Sequence, residues 1–320
     1  MGTAPGVIVG AYAASPTSRH WGRHLERTYL DELAQIEGVE GLEVPWITSL
    51  HPYEDSWYAD RLPAGWQVVI THIGGVMHRL SIDPVYGLAS TDLGGRRRAL
   101  ADVARICEDV ARLNEARGES AVRAIELHSA PATAGATSSA QALAESLTTV
   151  GGWDWQGAEV LVEHCDRQRP GRPTAKGFLA LEQEIEAVRA AGTAGIAINW
   201  GRSAIELGDP DGVPGHVRTA RESGLLRGVI FSGTAAEDSE YGPAWADAHL
   251  PFAPDHDEGR PGAEHSLLTG GHARAALAAA GPSPWLGLKI ACRPQQATIA
   301  QRVALIRDGV ERLTRAAIDS

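Results

Sequence analysis

Two stretches of this chain carry a glutamate and a histidine out of an apolar run: Ala124-Ile-Glu-Leu-His-Ser-Ala-Pro131 and Val160-Leu-Val-Glu-His-Cys-Asp-Arg167. An apolar strand buries most of what it carries, so an ionisable group at its end marks a mouth where a substrate could be met. Glu163 is the foremost base. With its pKa raised by such surroundings it would take a proton from a carbon beside a carbonyl; a structural ion pair with Arg167 or Lys289 is the plainer reading. Glu126 and His128 alternate by two and face one side of an extended chain. If that side is inward they form an acid/base unit; if not, His128 caps a helix. Lys289, between Leu288 and Ile290, is costly to bury unless paired. It would stabilise an enolate, form a Schiff base, or serve as an inward ion pair. The catalytic candidates are Glu163, Lys289, Glu126 and His128.

Other groups suit binding. Arg167, Arg202 and Arg293 have the fork that grips a carboxylate, phosphate or sulfonate, with surface ion pairs as the plain alternative, preferred for Arg293. His72, in Thr71-His-Ile-Gly-Gly75, is followed by a glycine turn that allows close approach. Nine Trp against three Phe suits a sugar cleft, where flat amphipathic rings pack on a ligand, and equally a scatter of core tryptophans. Glu126 with Glu163 could be the two carboxylates of a glycosidase or lyase. His249, His256 and His265 are read as solvated loop histidines, with Asp255-His-Asp257 as a remote metal trap. No Gly-x-Ser-x-Gly elbow occurs, and Cys165 beside His164 is too local to make a nucleophile pair.

Eight short apolar runs could position these groups: Val7 to Tyr12, Leu42 to Trp46, Gln67 to His72, Arg123 to His128, Ala158 to Glu163, Gly195 to Asn199, Leu226 to Phe231 and Trp285 to Ile290. Helical three- and four-residue spacing separates them, clearest over Thr91 to Ala116, Ala136 to Leu147, Gly177 to Ala191 and Gln296 to Ala317. Strands alternating with helices over the whole length predict one (β/α)8 TIM barrel, a single domain over residues 1–320. A doubly wound sheet is second, weakened in its dinucleotide-binding form by the lack of Gly-x-Gly-x-x-Gly after any strand. The acidic, Pro/Gly-rich segment from Thr234 to Gly271 is expected as a lid-like loop after strand seven. In a barrel the active site lies at the carboxyl ends of the strands. The groups there are Tyr12, Trp46 with His51, His72, Glu126 with His128, Glu163 with His164, Asn199, Ser232 and Lys289.

Composition narrows the partners. A net charge of -11 disfavours nucleic acid, whose phosphates need a basic surface. No run of about 18 apolar residues suggests a membrane span. Cys107, Cys165 and Cys292 form no Cys-x-x-Cys pair, a sparse usage that fits a reducing cytoplasm. The Arg96-Arg97-Arg98 cluster reads as a helix start or local anion contact. Oligomeric state is left open, a homo-oligomer included.

Glu163-His-Cys-Asp-Arg167 resembles the Glu-x-x-Asn-Arg element after strand five of the xylose-isomerase-like superfamily of sugar isomerases and epimerases. Asn199-Trp-Gly-Arg-Ser-Ala-Ile-Glu206 resembles its Asp-x-x-His-x-x-Ile-Glu element after strand six. The matching motifs cover about 15 residues. The resemblance implies a TIM barrel in which Glu, Asp, His and Glu after strands five to eight hold a divalent cation. That cation polarises two adjacent sugar oxygens while carboxylates move a proton. Glu163 matches its ligand, but Asn199 stands at the Asp, Arg202 at the motif's His, Ser232 near the strand-seven His, and Lys289 nearest the strand-eight Glu. Metal-free chemistry is therefore preferred; if a divalent metal binds, Glu163 and Asn199 are its ligands, or a rearranged set of Glu126, His128, Glu163 and His72. The expected substrate is a small sugar or sugar acid, isomerised or epimerised by proton transfer next to a carbonyl. Trp46, His72, Arg167, Asn199, Arg202 and Glu206 would lie on the substrate side. The alternative from another class is a barrel that binds carbohydrate without catalysis.

Overall fold

A computed structural model describes residues 6–320 except 19, 135, 170, 172, 173 and 283. Eight strands close into a barrel in sequence order: β1 (Val7–Val9), β2 (Val39–Pro45), β3 (Gln67–Thr71), β4 (Val122–Leu127), β5 (Glu159–His164), β6 (Gly195–Asn199), β7 (Leu226–Phe231) and β8 (Trp285–Leu288). The helices are α1 (Arg23–Leu33), α2 (Asp55–Arg61), α3 (Ile73–Leu80), α4 (Leu93–Arg117), α5 (Ala140–Gly151), α6 (Leu181–Ala191), α7 (Trp200–Leu207), α8 (Val213–Glu222), α9 (Gly270–Ala280) and α10 (Ile299–Ile318). The expected (β/α)8 TIM barrel is the observed fold. No described helix is long and apolar enough to cross a membrane, and Cys107, Cys165 and Cys292 are not joined in disulfides.

The chain packs as two compact units: Val44–Ile198 with Thr219–Arg227, and Met1–Glu43 with Asn199–Arg218 and Gly228–Ser320. In the first, parallel pairing sets Glu126 opposite Thr71 and Leu161, and Glu163 opposite Ala197. Paired residues point to the same face and neighbours along a strand to opposite faces. Glu126, Leu161 and Glu163 therefore share one face, and His164 takes the other. His164 bonds Glu184 of α6, which makes its face the helix side and leaves Glu126 and Glu163 inside the barrel.

Helix α4 shows how this unit tolerates acids in its packing. Asp92 caps it, Oδ1 accepting the Gly95 N–H at 2.7 Å, and Gly118 ends it in the left-handed region at φ 65°. Asp102 and Asp109 lie buried on its inner face, and each is bonded. Asp102 accepts from Arg79 Nε at 2.8 Å, from the Tyr86 hydroxyl at 2.9 Å, and from Arg105. Asp109 accepts the Trp46 indole N–H at 2.6 Å and pairs with Arg112. Trp46 in turn meets His72 edge-on at 5.2 Å between ring centroids. Gly74 and Gly75 lie in α3 instead of forming the expected turn. A Cβ on Gly75 would stand 2.6 Å from the His72 ring and 2.9 Å from the Trp46 carbonyl oxygen, so the close approach is real although its cause is helix packing.

In the second unit β1 pairs with β2 and β8, and β7 with β8. Strand β1 stops at Val9, three residues before its expected end; the Gly10 N–H bonds Leu288, and a 3-10 turn, Ala11–Ala14, follows. The Thr234 to Gly271 segment has no helix until α9 begins. It carries its own small core of Ala235, Leu250 and Ala263, packed by Tyr241 and Ala248, and Gly233 and Leu250 exchange both backbone bonds. All four helices given a range by periodicity start later than it predicts, α5 and α6 most of all: α5 waits for the Ser139 cap, and α6 for Leu181 because Gly177 and Phe178 bond the Asp166 carbonyl.

The buried Trp46–Asp109 bond predicts that Trp46→Phe lowers unfolding free energy by about 1–3 kcal/mol, read by urea denaturation. A change within error would show the bond to be redundant. Burial, with His128 adding and Asp102 opposing, pushes the His72 imidazole down to about 3. The unfolded chain takes up this proton near pH 6.5 while the folded chain does not. The stability is thus present above pH 6.5 and is lost as pH falls towards 3, by at most about 1.4 kcal/mol per pH unit. His72→Phe should flatten that part of the stability–pH curve between pH 7 and 4.5; curves of equal slope for both proteins would refute it.

Candidate functional site

At the end of β5 the sequence turns from apolar to polar in one step, and each polar group has a partner. His128, directly after β4, donates from Nε2 to Glu163 Oε2 at 2.9 Å, both side chains wholly buried. On the opposite face His164 Nδ1 donates to Glu184 Oε2 at 2.7 Å, and the Ser129 hydroxyl donates to Glu184 Oε1 at 2.5 Å. His128 and His72 face the same small cavity, closed by Val76, Tyr86, Leu88 and Val103. Glu126 is buried. Asp166 shapes the following loop. Its carboxylate accepts the backbone N–H groups of Ala175 and Lys176, and its carbonyl those of Gly177 and Phe178.

A second group surrounds the ends of β8 and β2. Lys289 Nζ lies 2.9 Å from Glu43 Oε1, with side-chain exposures of 0% and 2%, and the Tyr12 hydroxyl donates to the same oxygen at 3.1 Å. The inward ion pair expected for Lys289 is therefore present, but at the carboxyl end of the barrel strands. Its carboxylate is one that reading strand ends passes over.

A third group is carried by α7 and the loop after β7. Asn199 caps α7, Oδ1 accepting the Arg202 N–H at 3.2 Å. Arg202 is buried and its Nε donates to Asp247 at 3.1 Å. His249 Nδ1 lies 2.7 Å from Ser232 Oγ and 3.3 Å from Asp247. This corrects the reading of His249 as a solvated loop residue: its φ of 56° turns the ring back onto the β7 end, where the strand itself offers a serine. His256 and His265 are exposed as expected, His265 against Glu237. Asp255 bonds the Glu258 N–H, so the Asp255-His-Asp257 trap is organised as a turn. Glu206 is buried on α7 with His216 at 4.0 Å.

The remaining candidates lie in different surroundings. Trp46 is buried, its indole taken by Asp109, which gives it a packing role and no open ring face for a sugar. Arg167 is exposed and bridges Phe178 through its backbone. His72 is buried between Trp46 and the cavity it shares with His128. Residues missed by the sequence reading are Glu43, Glu184, Ser129, Asp247 and the bonding role of His249. Glu43 had a signal, an acid between Leu42 and Val44 in an apolar strand; Glu184 and Asp247 had none.

Comparison with solved structures shows the fold. The chain aligns with a xylose isomerase domain-containing protein of Salmonella typhimurium LT2 at 12% identity and TM-score 0.58, over 97% of each chain. It aligns with D-psicose 3-epimerase, solved in the presence of D-fructose, at 15% identity and TM-score 0.56, over 99% of this chain and 98% of that one. The 3-keto-D-glucoside 4-epimerase YcjR of E. coli aligns at 13% identity and TM-score 0.54, over 98% and 100%. The barrel is thus of the xylose isomerase-like type, as the resemblance at Glu163 and Asn199 implies. Among curated proteins, the uncharacterized protein STM3670 of Salmonella typhimurium strain LT2 is 34% identical over 316 residues, 97% of each chain. With residues 8–305 matching the family described as "Domain of unknown function (DUF4862)", the chain belongs to that family, on a xylose isomerase-like TIM barrel.

Proposed function

We propose that this chain is an isomerase or epimerase of a small sugar or sugar acid, working by proton transfer next to a carbonyl. The observation that carries the reading is the fully buried His128–Glu163 contact of 2.9 Å on the inner face of the barrel. A carboxylate buried with an imidazole can pass a proton back and forth without water competing for it. The partner of Glu163 there is an imidazole, which suits proton transfer better than the two-carboxylate chemistry of a glycosidase. Sugar epimerases on the same fold support the substrate class.

Glu163 is the base and His128 its proton-sharing partner, with Glu126 as a further inward carboxylate. In its own unit Lys289, held by Glu43, is the cationic group suited to carbonyl chemistry. Arg202, held by Asp247, supplies the guanidinium that a sugar-acid carboxylate would need. Asn199 and Glu206, buried on the same helix, belong with it.

The donor chemistry does not suit the divalent cation of the superfamily. Of the four positions, Glu163 alone brings a carboxylate. The Asn199 oxygen caps a helix, Ser232 is bonded to His249, and the β8 position holds an ammonium. Hard and borderline cations need several anionic or imidazole donors. No step is therefore routed through a metal.

On a panel of ketoses and aldoses, with solvent deuterium uptake as readout, Glu163→Gln should lower kcat by about 10²–10⁴-fold. His128→Gln should lower it as well and shift the pH–rate profile. Unchanged turnover in Glu163→Gln would remove Glu163 from the mechanism. Chelation should leave turnover intact; activity lost with a stoichiometric cation and restored by its return would overturn the metal-free route.

A further inference from the structure

Of the 29 basic side chains in this sequence only two are lysines, Lys176 and Lys289; all the others are arginine. One of the two is the wholly buried cation after β8. Its surroundings fix both ends of the side chain. The Lys289 N–H bonds the Phe231 carbonyl at 2.8 Å, and a Cβ on Gly10 would stand 2.9 Å from Lys289 Cγ, so the glycine makes room for the stem. The ammonium meets Glu43 Oε1, the oxygen that also accepts from Tyr12. Elsewhere the buried carboxylates Asp102 and Asp109, and the half-buried Asp247, take arginine. Arginine is the better choice for a permanent buried pair, being weakly hydrated and unable to lose its proton. A lysine can lose it, and the free amine is a nucleophile toward carbonyl carbon.

We propose that Lys289 acts covalently, forming an imine with an open-chain hydroxyaldehyde or hydroxyketone. The inference rests on the carbonyl chemistry proposed above and deepens it. The Lys289 ammonium gives a proton to Glu43. The freed nitrogen lone pair bonds the carbonyl carbon, and the C=O π pair moves to oxygen, which takes a proton from the Glu43–Tyr12 pair. The carbinolamine nitrogen gives a further proton to Glu43, which passes it to the hydroxyl; the hydroxyl leaves as water while the nitrogen lone pair closes the C=N bond of an iminium. The adjacent C–H is then acidic enough for a carboxylate to remove. Return of the proton to the other face of the same carbon regenerates the iminium and epimerises the substrate. Water adds back, the C–N bond breaks, and Lys289 regains its proton; no oxidant, reductant or other reactant is consumed. Sugars locked as glycosides or lactones are excluded as substrates.

The scarcity of lysine makes the test clean. The full-length protein is incubated with sodium cyanoborohydride and either dihydroxyacetone or D-fructose, followed by intact mass and peptide mapping. The expected result is one reduced adduct at Lys289, retained in Lys176→Arg, absent in Lys289→Arg, and formed more slowly in Glu43→Gln. No adduct, or adducts only at Lys176 and the N-terminal amine, overturns the proposal. Should Lys289→Arg fail to fold, mapping in the unaltered protein and in Lys176→Arg decides. An adduct at Lys289 without turnover of any sugar in the panel leaves the imine standing and removes the isomerase reading. Turnover that survives in Lys289→Arg does the reverse.

Discussion

A charge taken out of water must meet a partner, and this constraint governs the polar interior of the protein. Each strand that ends in an ionisable group presents it to packed surroundings, where an unpaired ion would cost several kcal/mol. The end of β5 shows the consequence most directly. Alternation sends Glu163 inward and His164 outward, and each needs its own partner, His128 for one and Glu184 with Ser129 for the other. Shifting this strand by one residue would exchange the two and leave both networks broken. The register of β4, β5 and β6 is therefore held by polar as well as apolar contacts.

The barrel was legible because its signal is repeated eight times. Each apolar run is short and β-branched, and the interval between runs suits a helix, so errors of a few residues at single ends do not change the topology. Those end errors have local causes. Gly10 leaves the sheet for a 3-10 turn, Ser139 delays α5 until it can cap, and Asp166 holds Gly177 and Phe178 out of α6. None of these is visible to periodicity, since each is a bond made by one side chain or one carbonyl.

The candidate groups were legible only on one side of each pair. Glu163, His128, Lys289 and Arg202 stand at strand or helix ends, where an ionisable residue after an apolar run is conspicuous. Their partners stand where such a residue looks ordinary. Glu43 is inside a strand, Glu184 is on a helix rich in acids, and Asp247 and His249 lie in a loop whose composition reads as solvated. Pairing is a property of three-dimensional neighbours, and spacing along the chain carries little of it. Trp46 shows the complementary case. Aromatic rings serve both cores and sugar clefts, and the Asp109 carboxylate that claims the indole lies on a helix 63 residues away.

The buried carboxylates also divide by whether the proton of their partner can leave. Those that fasten α4, with Arg79, Arg105 and Arg112 on Asp102 and Asp109, use guanidinium groups that stay charged at any pH the protein meets. They organise packing and can do nothing else. The His128–Glu163 and Lys289–Glu43 pairs use an imidazole and an amine, groups that, unlike a guanidinium, are able to give up a proton. A buried ion pair gains little stability over apolar packing of the same volume, so stability gives weak grounds for keeping either one. At the strand ends the remaining polar groups are likewise claimed locally: Asn199 caps α7, Ser232 lies against His249, and the Lys289 ammonium is fixed by Glu43.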